Sequence, residues 1–243
     1  MKANLYEYLA GNEYPGRGIC IGKTPGGNKV MIAYFIMGRS VNSRNRVFDP
    51  IDGGIRTKAA DPSKMTDPHL IIYNPVLTLD NTTIVTNGDQ TNTIRDFTAR
   101  NDFSGYGFEA ALATRTFEDD GPNWTPRISG VVDMRTGVYK LSILKSCDGN
   151  EKSVQRFTFD YSQPLASEGH FISTYKCNGT PIPSFEGEPL HVTINEEDPN
   201  EYAGKLWKAL NEDNKVSLFV RAIDLTIQTY KDIIVNKYKT VEG

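Results

Sequence analysis

The most apolar run in this chain is Val30-Met31-Ile32-Ala33-Tyr34-Phe35-Ile36-Met37. An unbroken run of that length predicts a central strand covered on both faces, since a half-exposed strand would alternate. Gly18–Lys23 lies just before it, and Thr24-Pro25-Gly26-Gly27-Asn28 supplies a turn between them. A second pair is predicted at His69–Leu79 and Thr82–Thr86, joined through Asp80-Asn81. Arg127–Val132 and Val138–Lys145 form a hairpin around Arg135-Thr136-Gly137. Phe157–Tyr161, His170–Tyr175 and Leu190–Ile194 read as shorter strands, and Val216–Ile223 and Ile233–Tyr238 close the chain.

Helices are fewer. Thr91–Ala99 opens one after the Asn87-Gly88-Asp89 turn, and the alanine-rich stretch Phe108–Thr116 forms another. Asp198-Pro199 is an N-cap followed by proline at the first helical position, which starts a helix over about 200–210. Tyr202, Leu206 and Leu210 recur every four residues on one face, with Trp207 alongside. No Gly-, Pro- or Ser-rich linker divides these elements. Residues 1–243 are therefore read as one domain with a large β component and a few packed helices.

Composition narrows the function classes. The 243 residues carry 27 Lys plus Arg against 30 Asp plus Glu, a net charge of −3, so a general nucleic-acid binder is not expected. No run approaches the roughly 18 apolar residues of a membrane helix. The N-terminus Met1–Glu7 has no apolar core of a secretory signal, so a cytoplasmic location is expected. Cys20, Cys147 and Cys177 are too few and too scattered for a disulfide framework or a zinc site, and read as reduced thiols. His69, His170 and His191 show no metal-ligand spacing. GxGxxG, GxxxxGK[ST] and GxSxG are all missing. Neither a metal nor a cofactor is expected.

Three segments concentrate chemistry. Gly38-Arg39-Ser40-Val41-Asn42-Ser43-Arg44-Asn45-Arg46 holds three arginines and no acid, directly after the most hydrophobic strand. Guanidinium forks, hydroxyls and backbone N–H groups suit a phosphate, although a solvated loop pairing with surface acids has the same composition. Tyr73-Asn74-Pro75 and Thr86-Asn87-Gly88-Asp89-Gln90-Thr91 sit at strand ends, where a turn and helix start are the plainer reading. Glu118-Asp119-Asp120-Gly121-Pro122-Asn123-Trp124-Thr125-Pro126-Arg127 places three acids on a stiffened loop. Such a loop can hold a general base or orient an arginine, or simply be an acidic surface loop anchored by Trp124. Lys145 closes the following hairpin at the same sheet end.

The ordered set Gly38-Arg39-Ser40…Asn45-Arg46, Tyr73-Asn74, Thr86-Asn87-Gly88-Asp89…Thr91, Thr125-Pro126-Arg127-Ile128 and Phe171-Ile172-Ser173-Thr174-Tyr175 resembles the archaeal-type IMP cyclohydrolase family over about residues 14–225. Each motif is short, and the specificity lies in five of them in order. The resemblance implies an α+β fold, a four-layer αββα sandwich with mostly antiparallel sheets, like that of the Ntn hydrolases. It also implies the last step of purine synthesis, closure of the formylated aminoimidazole carboxamide ribotide (FAICAR) to IMP with loss of water. The chain begins Met1-Lys2, without an N-terminal Cys, Ser or Thr, so Ntn-type amide hydrolysis is not supported.

By motif position, Arg46 and Tyr73 match the family's proposed catalytic arginine and tyrosine. The family also places an acid and a nearby lysine ahead of Thr-Pro-Arg. Here the stretch is Glu118-Asp119-Asp120 with no lysine, so Asp120 is chosen as base or orienter and Lys145 as the substitute oxyanion donor. Arg39, Ser40, Asn45, Asn74, Asn87, Thr125 and Arg127 are expected to line the nucleotide site. The implied partner is a purine nucleotide, and the sequence is compatible with a homo-oligomer. A nucleotide-binding relative that keeps the pocket without the reaction is the alternative, because the acidic loop is altered.

Overall fold

The structure is a computed structural model that describes residues 2–65, 72–101 and 107–240. Two antiparallel sheets are stacked. The first has six strands in the order β11-β10-β1-β2-β12-β13, and the second has seven in the order β3 to β9. In the first sheet are β1 (Arg17–Lys23), β2 (Lys29–Met37), β10 (Glu168–Ser173), β11 (Leu190–Thr193), β12 (Lys215–Asp224) and β13 (Thr229–Asn236). In the second are β3 (Val47–Ile51), β4 (Gly54–Lys58), β5 (Val76–Leu79), β6 (Thr82–Thr86), β7 (Arg127–Asp133), β8 (Tyr139–Cys147) and β9 (Asn150–Tyr161). The helices are α1 (Leu5–Ala10), α2 (Val41–Arg44), α3 (Gln90–Asn101), α4 (Gly107–Ala113) and α5 (Pro199–Ala209).

Three apolar layers explain the stacking. Ile19, Ile21, Ile32, Tyr34 and Phe219 of the first sheet meet Ile55, Val85, Ile128, Leu141 and Ile143 of the second. The opposite face of the first sheet, with Cys20, Phe35 and Leu218, packs on Leu5 and Leu9 of α1 and on Tyr202 and Leu206 of α5. The outer face of the second sheet, with Ile84, Val131 and Leu144, packs on Ile94 of α3 and on Phe108 and Leu112 of α4. Helices thus cover both outer faces and give four layers, αββα. The fully apolar β2 is central in its sheet and feeds both the inner and the outer layer through alternate residues.

Local signals place most of these elements. Asp198 caps α5 by accepting from Asn200 N, with Pro199 at the start. Gly137 turns the β7–β8 hairpin at φ +74°, a conformation open to glycine. The predicted strand from His69 is shorter, starting at Val76, and His69 itself lies outside the described residues. The β3–β4 hairpin and α1 carry no strong pattern in the sequence. Pro50 suits β3 because β3 is an edge strand, where a missing N–H costs no ladder bond. One charged side chain ties the sheets together. Arg221 of β12 is fully buried and forks onto Asp232 at 2.7 and 2.8 Å, while its Nη1 donates to Thr78 Oγ1 at 2.6 Å across the layer.

Cys20 is buried, Cys147 half-buried and Cys177 exposed, and all three are free. Among the described residues, no helix is long and apolar enough to cross a membrane.

Candidate active site

A cleft of about 300 Å³ opens where β1, the segment after β2 and the loop after α4 meet. Its wall includes Arg17, Arg39, Arg46, Glu118, Asp120 and Tyr175. Arg17 begins β1 with the inward parity of Ile19 and Ile21, and Tyr34 of β2 lies opposite Ile19. The chain leaves β2 through Gly38 into α2, a single turn capped by Ser40 and Ser43. Arg46 follows that turn and points inward, only 4% exposed.

The acidic loop is built around Asp120 and Trp124. Asp120 accepts from Thr125 N at 2.6 Å and from Thr125 Oγ1 at 2.5 Å. Trp124 adopts φ +44°, and its ring lies edge-on to Phe117 at 6.0 Å. These ties aim Glu118 inward: it is 7% exposed and lies 3.5 Å from Arg127 Nη1. Arg127 also reaches Asp89 at 3.3 Å and Gln90 Oε1 at 3.3 Å. Asn87 anchors the start of β7 by accepting from Ile128 N and donating to Pro126 O, both at 2.9 Å.

Tyr73 is buried within electrostatic reach of Arg17 and Arg46, and its hydroxyl is 2.8 Å from that of Tyr34. Its backbone is clamped by Thr57, whose Oγ1 accepts from Tyr73 N at 2.9 Å. Burial, and then the neighbouring Tyr73 oxygen, push the Tyr34 hydroxyl well above the ordinary range, so Tyr34 stays neutral. Burial, and then the Arg17 charge, lower Arg46. Burial works against the Arg17 charge too, but Glu118 and the hydroxyls of Tyr175, Tyr14 and Tyr73 hold it above the usual guanidinium range. Burial pushes the Tyr175 hydroxyl up to about 12 against the pull of Arg17. Arg17, Arg46, Glu118, Tyr34 and Tyr73 therefore form one electrostatic unit.

The structure couples Arg46 and Tyr73 electrostatically and places Asp120, Arg39 and Ser40 on the wall of the cleft, with buried Thr125 tied to Asp120. Arg39 is at the exposed rim, donating to Asn178 Oδ1 at 2.5 Å and stacked 5.1 Å over the Tyr14 ring. Other expected residues stand apart. Lys145 Nζ donates to Phe185 O at 3.2 Å and lines a different hollow of about 340 Å³ with Phe157 and Phe159. The Asn45 amide is spent on Asp61, accepting from its N at 2.7 Å and donating to its O at 2.8 Å. Asn87 likewise serves the backbone, and Asn74 is half-buried beside Tyr73 without lining the cleft. Arg17 and Tyr34 are site residues outside the segments singled out for chemistry in the sequence, whereas Glu118 and Asn42, whose Oδ1 is buried without a partner, lie inside those segments but are not among the residues chosen there. Arg17 had a signal: a charge at an inward position of an otherwise apolar strand.

Among the described residues, no three His, Cys, Asp or Glu side chains gather as metal ligands. The family described as IMP cyclohydrolase-like protein matches residues 14–228, nearly the whole chain. The chain belongs to the IMP cyclohydrolase-like family. A curated relative, an IMP cyclohydrolase of Methanococcus aeolicus, is 26% identical over 189 residues, which cover 77% of this chain and 84% of the relative. The matched segment of this IMP cyclohydrolase-like chain includes every cleft residue named above, from Tyr14 to Tyr175.

Proposed function

We propose that the protein is an IMP cyclohydrolase that closes FAICAR to IMP with loss of water. Membership of the family and the name of the archaeal relative support the class of reaction. The observation that carries the reading to the site is that buried Arg46 and Glu118 share the wall of one cleft, with buried Tyr73 electrostatically coupled to Arg46.

The chemistry needs little more. The carboxamide nitrogen and the formyl carbon belong to the same molecule, so proximity is built into the substrate and the protein must fix the rotamers that bring them together. An amide nitrogen is a poor nucleophile, and Glu118 is the carboxylate positioned to take its proton. Arg127, held by Asp89 and Gln90, orients that carboxylate. As the new C–N bond forms, the formyl oxygen gains charge beside Arg46, and Tyr73 gives it a proton. Tyr34, neutral and 2.8 Å away, then donates to the Tyr73 oxygen. The resulting hydroxyl leaves as water while the former formamide nitrogen loses its proton, which completes the purine ring. Arg39 and Ser40 at the rim, with Asn42 and Ser43, are the groups available for the 5′-phosphate.

Asp120 is a positioning residue in this scheme, because its two oxygens are engaged by Thr125. Conversion of FAICAR to IMP by purified protein, followed by absorbance, tests the proposal. Binding of IMP without turnover would favour instead a nucleotide-binding relative, the reading left open by the lysine-free sequence Glu118-Asp119-Asp120.

A further inference from the structure

Among the described residues, two arginines at the floor of the cleft have no carboxylate in ion-pair contact, although the Glu118 charge is felt by both. Arg17 is 8% exposed, its backbone N–H is pinned to Thr174 Oγ1 at 3.1 Å, and its Nε is buried with no hydrogen-bond partner. Arg46 repeats the pattern, 4% exposed with an unpartnered buried Nε. Among the described residues neither guanidinium forms an ion pair. The nearby acids are engaged elsewhere, Glu118 with Arg127 at 3.5 Å and Asp120 with Thr125. A buried cation without a hydrogen-bonded partner is costly, and two that repel each other are more so. Burial and the Arg17 charge both weaken Arg46's hold on its proton, which reports that repulsion. A fold that keeps such a pair facing a cavity is arranged for an anion.

We propose that Arg17 is a second catalytic arginine, which together with Arg46 brackets the oxygen on which negative charge develops during ring closure. The inference rests on the ring-closure reading above. In the step concerned the carboxamide nitrogen bonds to the formyl carbon and its proton passes to Glu118. The C=O π pair moves onto the oxygen, where the two guanidinium groups meet it. Tyr73 then protonates that oxygen, and it leaves as water with the proton of the ring-side formamide nitrogen. A 5′-phosphate belongs elsewhere. It carries its charge throughout the reaction and suits the exposed rim at Arg39, whereas the floor adjoins the tyrosine pair.

The test compares Arg17→Gln and Arg17→Lys with the wild type, measuring FAICAR turnover, IMP affinity and the thermal midpoint. Removing an oxyanion donor lowers kcat roughly 10²- to 10³-fold. The expected result for Arg17→Gln is a loss of that size, IMP affinity within about 3-fold of wild type on the same account, and a thermal midpoint unchanged or raised. A structural arginine would lower the midpoint. Added guanidinium ion is expected to restore part of the kcat of Arg17→Ala. Arg17→Lys keeps the charge but not the fork, and is expected to fold with reduced kcat, which covers the case in which the glutamine variant does not fold. Near-normal kcat in both variants, or weakened IMP binding with unchanged kcat, overturns the assignment while leaving the cyclohydrolase reading intact. A wild type that does not turn over FAICAR overturns both.

Discussion

The hydroxyls of Tyr34 and Tyr73 lie 2.8 Å apart in a buried pair coupled to Arg17 and Arg46. Tyr34 comes from the central strand of one sheet, and Tyr73 precedes β5 of the other. The pair therefore bridges the two sheets at the floor of the cleft. Because Tyr34 stays protonated, it is the donor to the Tyr73 oxygen once Tyr73 has given up its own proton. Tyr73→Phe is expected to lower kcat by about 10²-fold and Tyr34→Phe by about 10-fold, both with a normal fold. Steady-state kinetics check this, and an unaffected Tyr73→Phe enzyme would remove Tyr73 from the reaction.

Glu118 and Asp120 separate by the same kind of measurement. Glu118→Gln is expected to lower kcat at least about 10²-fold while IMP still binds. Asp120→Asn weakens the ties to Thr125 and is expected to act mainly on stability, by about 1–2 kcal/mol, with a smaller loss of rate. Reversed effects would return the base to Asp120.

The layered fold was legible in the sequence where the pattern was extreme. The unbroken run Val30–Met37 announced a doubly covered strand, and Asp198-Pro199 announced α5. The β3–β4 hairpin was not, because Asp49-Pro50 and Asp52-Gly53-Gly54 carry turn chemistry and a short edge strand needs little apolar character. The candidate site divides in the same way. The loop Arg39–Arg46 stood out by composition, but three consecutive acids at 118–120 differ only in where the folded loop aims them. Trp124 at φ +44° and the Asp120–Thr125 ties set that aim, and neither is visible in composition. Lys145 lies near the C-terminal end of β8, yet which hollow it meets is decided by the chain around Phe185, some 40 residues on.

Stability has its own weak point at Arg221. Asp232→Ala would leave a fully buried guanidinium without its carboxylate, and a loss of about 3 kcal/mol is expected. Urea unfolding reads it directly, and kcat is expected to hold because the pair is outside the cleft. A midpoint equal to wild type would show that the pair contributes nothing net.

The acid limb of stability is expected to carry a signature of His170. Burial first, and then His191, lower its pKa from 6.5 to about 4. Its Nδ1 is 2.6 Å from Tyr139 Oη, its ring stacks on Tyr161 at 3.8 Å and on His191 at 5.1 Å, and Glu168, 2.8 Å from His191 Nε2, pulls weakly the other way. The neutral ring is the folded form, so the unfolded chain binds the extra proton between pH 6.5 and about 4. This contribution is therefore complete above pH 6.5 and fades as pH falls through that window. About 1–2 kcal/mol is expected after allowing for the ring's partial exposure. Comparing urea midpoints of wild type and His170→Gln across the window isolates it from the titration of Glu168. Parallel profiles would contradict the assignment.

The central claim is ring closure at the cleft holding Arg46, Tyr73 and Glu118. Its most direct test is the absorbance change when purified protein meets FAICAR, run beside Arg46→Ala. Stoichiometric IMP from the wild type, with a rate at least about 10²-fold lower in the variant, is the predicted result. Absence of IMP from a folded wild type that binds the nucleotide, or equal rates in the two proteins, would contradict it.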